Sequence, residues 1–154
     1  MQENMEGKIQ VIDHKLLTAM VVDDSKFTAD LVRKILVAYG ISEIFLETSG
    51  ESALGCLASN HIDVIICDIV MNGMSGLQFT KEVRGGCASL FAKKNTPIIM
   101  LTAHSEQTLV MASIRVGANG YLVKPIVPQK LVSLIAKTCN STLPKLAMRE
   151  MAQR

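Results

Sequence analysis

The sequence predicts an α/β protein, a doubly wound five-stranded parallel sheet with helices on both faces. Four short runs, "LTAMVVD" (17–23), "DVIICD" (63–68), "TPIIMLT" (96–102) and "GYLVK" (120–124), are apolar without strict alternation, as strands buried on both faces should be. Between them lie segments with helical spacing and helix-start signals. Strand and helix thus alternate about five times over residues 17–139, the pattern of a sheet wound in both directions.

The elements follow in order. After the first strand, Phe27, Leu31 and Ile35, with Val32 and Leu36 beside them, make an apolar stripe at helical spacing. A weaker strand, "SEIFLET" (42–48), comes next in the chain. Thr48 to Glu51 and Ser75 to Gln78 have the capping-box pattern that satisfies free N–H groups at helix starts. The connection "GGCASLFAKKNT" (85–96) is long, so the third helix extends or a surface loop is inserted. Ser105 can cap a helix over 106–116 that Gly117 stops. Pro128 suits the first turn of a last helix that turns Leu131, Leu134 and Ile135 inward. Met20, Met100 and Met111 fall inside these elements and read as core filling. Residues 1–16 form an N-terminal extension and 140–154 a basic C-terminal tail. In that tail, Leu143, Ala147 and Met151 line one face of a short helix, if it is not a frayed terminus.

Composition narrows the function. At 154 residues there is room for one domain with a real core, and 19% charged residues argue against disorder. The net charge of +2 does not suit a protein that wraps nucleic acid, and 4% aromatic content weakens any base-stacking role. The surplus lies toward the carboxyl end, where residues 137–154 set Lys137, Lys145, Arg149 and Arg154 against Glu150 alone. Cys56, Cys67, Cys87 and Cys139 lack C-x-x-C spacing, so no disulfide or zinc site is expected and a reducing compartment is. "MQENMEGKIQ" lacks the apolar core of a signal peptide, and no run approaches membrane-spanning length. A cytoplasmic protein without membrane insertion is expected.

In doubly wound sheets, ligands bind at the carboxyl ends of the strands. Asp23, Asp68, Thr102 and Lys124 all fall at such ends, and Asp24 adjoins Asp23. Three carboxylates in a partly dry cleft will not all stay ionised without a cation. Hard oxygen donors in an incomplete cage suit Mg2+, which keeps some waters and bridges to phosphate. Lys124 and Thr102 can then supply the charge and the hydroxyl that a phosphoryl group on a carboxylate needs.

These motifs, "VVDDS" (21–25), "IICDIVMNGMSG" (65–76), "IIMLTA" (98–103) and "GANGYLVKP" (117–125), resemble in order and spacing the receiver domain of bacterial two-component response regulators, including the single-domain chemotaxis type. The resemblance covers residues 17–139. It implies a flavodoxin-like receiver fold with Asp68 as phosphoacceptor, Asp23 and Asp24 as the metal pair and the Val70 carbonyl as a further ligand. Thr102 and Lys124 would contact the phosphoryl group, Pro125 would follow a cis peptide bond, and Tyr121 would be the switch aromatic. The implied partners are a sensor histidine kinase or histidine phosphotransfer protein and an unidentified downstream protein, with no direct nucleic-acid binding. The family often has Pro where Asn72 stands, so a shifted or looser loop is expected there.

The expectation is therefore a stand-alone receiver that catalyses only its own phosphorylation and dephosphorylation. The alternative is a receiver-like interaction module that is never phosphorylated. A haloacid-dehalogenase-type phosphatase would need an acid where Val70 stands. A flavodoxin-like FMN carrier would need a phosphate loop where the acidic "DDSKF" runs. Taken singly, Asp23-Asp24 could be a solvated turn and Tyr121 mere packing. His104, two residues after Thr102, either overhangs the pocket or faces water, and His14 and His61 read as surface residues.

Overall fold

The structure is a computed structural model that describes residues 13–86, 94–103 and 107–139. Five strands, β1 (Thr18–Val22), β2 (Glu43–Glu47), β3 (Val64–Asp68), β4 (Ile98–Thr102) and β5 (Gly120–Val123), alternate with five helices. The helices are α1 (Lys26–Ala38), α2 (Gly50–Ser59), α3 (Gly76–Arg84), α4 (Gln107–Arg115) and α5 (Pro128–Cys139). All pairings are parallel, in the order β2-β1-β3-β4-β5. The direction of winding reverses between β1 and β3, which opens a crevice at their carboxyl ends.

Every residue of β1, β3 and β4 is buried, which is why these runs carry no alternation. One core layer joins Val21, Ile66 and Leu101 to Val32 and Leu36 of α1 and Leu131 and Ile135 of α5. The opposite layer joins Met20, Ile65 and Met100 to Leu57 of α2 and Phe79 of α3. The edge strand β5 departs from the expectation of burial on both faces, because its Tyr121 and Val123 are exposed. One side of an edge strand has no neighbouring strand, and here the helices cover its faces incompletely.

Helix α1 also departs from the expected stripe. Ala29, Val32, Ile35 and Leu36 are buried, but Phe27 is 81% exposed and Leu31 39%. Val32, Ile35 and Leu36 thus face the core as expected, Ala29 joins them, and only Phe27 and Leu31 of the expected stripe face out. Met111 likewise lies on the open face of α4 and fills no core. At α2 the cap is Ser49, one residue after the expected Thr48, and its hydroxyl accepts from Ser52 N at 3.0 Å. Ser75 caps α3 as expected, accepting from Gln78 N at 3.1 Å, although Gln78 bonds forward to Glu82 instead of back to the cap.

Helix α3 ends at Arg84 and is capped by Gly85, so it does not extend through the long connection. Residues 87–93 of that connection, Ser105, His104 and the tail lie outside the described residues. Gly117 stops α4 at φ +101°, a conformation that favours glycine, and Pro128 opens α5 as expected. Arg84 ties this corner together. Its guanidinium donates to the carbonyls of Gly117 (3.0 Å), Lys94 (2.8 Å) and Thr96 (2.8 Å) and to Asn119 Oδ1 (2.9 Å). Asn119 Oδ1 also accepts from Ile98 N, so one side chain joins the lead-in to β4 with the turn before β5.

Candidate functional site

Asp23 follows β1 directly and keeps its strand-end position because its N–H donates to Glu47 O at 3.0 Å. It is 1% exposed. One carboxylate oxygen accepts from Ser25 N at 2.8 Å, a local turn that also sets up Ser25 as the cap of α1. The other oxygen is buried without a hydrogen-bond partner among the described residues. Asp68 ends β3 and is also buried. Asp24 is exposed, and one carboxylate oxygen from each of the three aspartates lies within 4.8 Å of the others.

Lys124 follows β5 and is held there by its N–H, which donates to Thr102 O at 2.8 Å. Its ammonium donates to Asp68 Oδ2 at 3.4 Å and pairs with Asp23 Oδ2 at 3.9 Å. Burial pushes the Asp23 carboxyl above the usual range, against the opposing pull of the Ser25 N–H. Asp68 and Asp24 push it further up, while Lys124 draws it down.

The remaining expected residues fall as follows. Thr102 is buried at the end of β4, beside Val123. Tyr121 lies beside Met100 on the edge strand, 43% exposed, at a groove it shares with Leu122, Ser133 and Leu134. The Lys124-Pro125 peptide bond is cis, as the resemblance implied. The Val70 side chain is exposed on the loop after β3.

Three contributors escaped the sequence reading. Gly76 N donates to Ile69 O at 2.9 Å, and a Cβ at Gly76 would overlap the Asp68 carbonyl oxygen. Only glycine lets α3 begin this close to the end of β3. Asn72 N donates to Asp24 Oδ2 at 2.9 Å, and Met74 N to Glu51 Oε1 at 3.2 Å. The loop is therefore anchored at two points. Asn72 and Glu51 are visible in the sequence, but there Asn72 points only to a shifted or looser loop and Glu51 to a cap.

Chemically, the arrangement is a set of hard oxygen donors with one orphaned buried oxygen, and it fits a small divalent cation. A lysine beside one of those carboxylates adds a fixed positive charge. Among the described residues, no helix is long and apolar enough to cross a membrane.

Fold and site together define an α/β protein of the flavodoxin-like type with an acidic, cation-ready crevice at its topological switch point. The family model described as response regulator receiver domain matches residues 19–136. The chain belongs to the response regulator receiver domain family. It is 33% identical over 121 residues to the response regulator UvrY of Escherichia coli, covering 78% of this chain and 53% of that one. Identity to the transcriptional regulatory protein YvrH of Bacillus subtilis is 31% over 116 residues, covering 75% and 46%. The chain thus spans about half the length of these curated relatives. Among solved structures, the chemotaxis response regulator CheY4 of Vibrio cholerae matches with TM-score 0.71 at 33% identity, covering 79% of this chain and 98% of that one. A putative response regulator from Chloroflexus aurantiacus matches with TM-score 0.73 at 33% identity, covering 80% and 98%. Receiver domains are the phosphoryl-accepting signalling domains of two-component systems, and they generally bind Mg2+ through an acidic pocket.

Proposed function

We propose that the protein is a phosphorylation-controlled switch that accepts a phosphoryl group on Asp68 from a histidine kinase or histidine phosphotransfer protein. The observation that carries this reading is the ammonium of Lys124 at 3.4 Å from Asp68 Oδ2, beside the orphaned oxygen of Asp23. An Asp68 oxygen attacks phosphorus in line, the new P–O bond forms, and the bond from phosphorus to the donor's imidazole nitrogen breaks.

Lys124 and the Thr102 hydroxyl stabilise the equatorial oxygens of the transferred group. Asp23, Asp24, Asp68 and the Val70 carbonyl would hold Mg2+, which neutralises charge on the phosphoryl oxygens when bound. Thr102, drawn toward the phosphoryl group, leaves space that Tyr121 enters by changing rotamer. The signal then passes to a downstream protein at the surface of α4, β5 and α5. A stand-alone form is part of the proposal; the match to CheY4 covers 98% of that chain. The protein turns over no external substrate in this reading.

The test is intact-mass measurement after incubation with acetyl phosphate and Mg2+. The parent should gain one phosphoryl mass and Asp68→Asn none. A parent that gains nothing would favour the interaction module, and labelling of Asp68→Asn at the parental rate would reject Asp68 as the acceptor.

A further inference from the structure

We infer that the main-chain N–H of Asn72 is a positioning group for the cation in the acidic crevice, acting by fixing the carboxylate of Asp24. The inference rests on the reading that Asp23, Asp24 and Asp68 hold Mg2+. Two of these ligands need no further help. Asp23 is buried and held by Ser25 N, and Asp68 is buried and paired with Lys124. Asp24 is the exposed member of the trio, and an exposed aspartate turns freely unless something holds it.

The loop after β3 supplies the hold. Asn72 N–H donates to Asp24 Oδ2 at 2.9 Å, a bond strengthened by the charge on its acceptor. Two residues on, Met74 N–H donates to Glu51 Oε1 in the first turn of α2 at 3.2 Å. Between them, Gly73 has φ +76°, and Glu51 Oε1 lies 3.3 Å from where a Cβ would stand. Met74 also packs over Gly50, with its sulfur 2.8 Å from where a Cβ on that glycine would be. The stretch 72–74 is therefore stapled at two points, to the end of β1 and to the start of α2.

The Asp24 end of the staple matters to a cation. Asp24 is oriented before any ion arrives, so its ordering is not charged against binding. Val70, whose carbonyl is a proposed ligand, stands two residues before Asn72 on the same loop. A carboxylate ligand held by an outer hydrogen bond in this way binds metal more tightly than one left to turn. The bond needs a main-chain N–H at position 72 and makes no use of the asparagine side chain, so any residue except proline can supply it.

The test is calorimetric titration of Mg2+ into the full chain as parent, Asn72→Ala and Asn72→Pro, with amide NMR spectra confirming that each is folded. Asn72→Ala should bind within about twofold of the parent, and Asn72→Pro about tenfold more weakly. Equal affinity in all three would overturn the inference, as would an equal loss in both variants, which would assign the effect to the side chain. Hydrogen exchange in the unaltered protein tests the same bond without substitution. The Asn72 amide should stay protected when saturating Mg2+ is added, and faster exchange would show that the cation breaks the bond. A parent that bound no Mg2+ would remove both the inference and the metal reading beneath it. Asn72→Pro should still gain phosphoryl mass from acetyl phosphate at saturating Mg2+, so a failure of Asn72 positioning is separable from a failure of Asp68 as acceptor.

Discussion

Lys124 Nζ stands 3.4 Å from Asp68 Oδ2, although 56 positions separate the two residues in the chain. The parallel register of β3, β4 and β5 brings them together, and the main-chain bond from Lys124 to Thr102 holds the lysine in place. If this ammonium stabilises charge on the transferred group, Lys124→Ala should slow labelling by acetyl phosphate by about a hundredfold. Time-resolved intact mass at saturating Mg2+ checks it, and an unchanged rate would remove Lys124 from the chemistry.

The buried Asp23 makes stability depend on pH with a sign opposite to that of a carboxylate whose pKa falls on folding. Its folded pKa is raised, above all by burial, so the folded state holds this proton more tightly than the unfolded chain does. Its contribution to metal-free stability is therefore present below the ordinary value of 3.8 and is lost as pH rises through the raised value. Asp23→Asn should melt higher than the parent in metal-free buffer at neutral pH, and the difference should shrink as pH falls. Calorimetric melting across pH, repeated with Mg2+, measures this. A mutant that melted lower at neutral pH would contradict it.

Gly76 faces the Asp68 carbonyl at a distance that leaves no room for a side chain. Gly76→Ala must push the start of α3 away from the end of β3, at a cost of about 1–3 kcal/mol. A lower denaturation midpoint with an unchanged m-value is the expected outcome, together with slower labelling of Asp68.

The coupling from Thr102 to Tyr121 is expected to appear in amide NMR spectra. Beryllofluoride with Mg2+, a mimic of the phosphoryl group, should shift amides beyond the crevice in α4, β5 and α5. Thr102→Ala should narrow that spread while Mg2+ still binds, because a ligand shifts a conformational balance only by its differential affinity. Shifts confined to the neighbourhoods of Asp23, Asp24 and Asp68 would reject the switch.

How much of this was legible in the sequence depended on whether the cause was local. Strands β1, β3 and β4 are buried on both faces, so their apolar runs announced them, and the carboxylates at their ends followed from the fold rule. On α1, Val32, Ile35 and Leu36 were legible from their spacing, whereas Phe27 and Leu31 repeat at the same spacing as Ile35 and yet face out. Ala29 takes the inward place beside Val32, Ile35 and Leu36, which only the packed core reveals. Thr48 and Ser49 are both competent caps, and Glu51 fits a capping box rooted at Thr48. Its actual partner is Met74 N, 23 residues away, which no local pattern reveals. The bond between Asn72 and Asp24 was hidden for the same reason, since a main-chain N–H leaves no mark in a sequence.

The Arg84 clamp has a mechanical consequence for α4. One guanidinium grips the Gly117 carbonyl just past the carboxyl end of that helix and grips the lead-in to β4 as well. The amino end of α4 lies on the Thr102 side, where the phosphoryl group would act. In the proposed switch, an α4 held by this clamp would move less near Arg115 than at Gln107. If Thr102 acts as proposed, the open face of α4 that carries Met111 and Ile114 would turn with it about that clamped end.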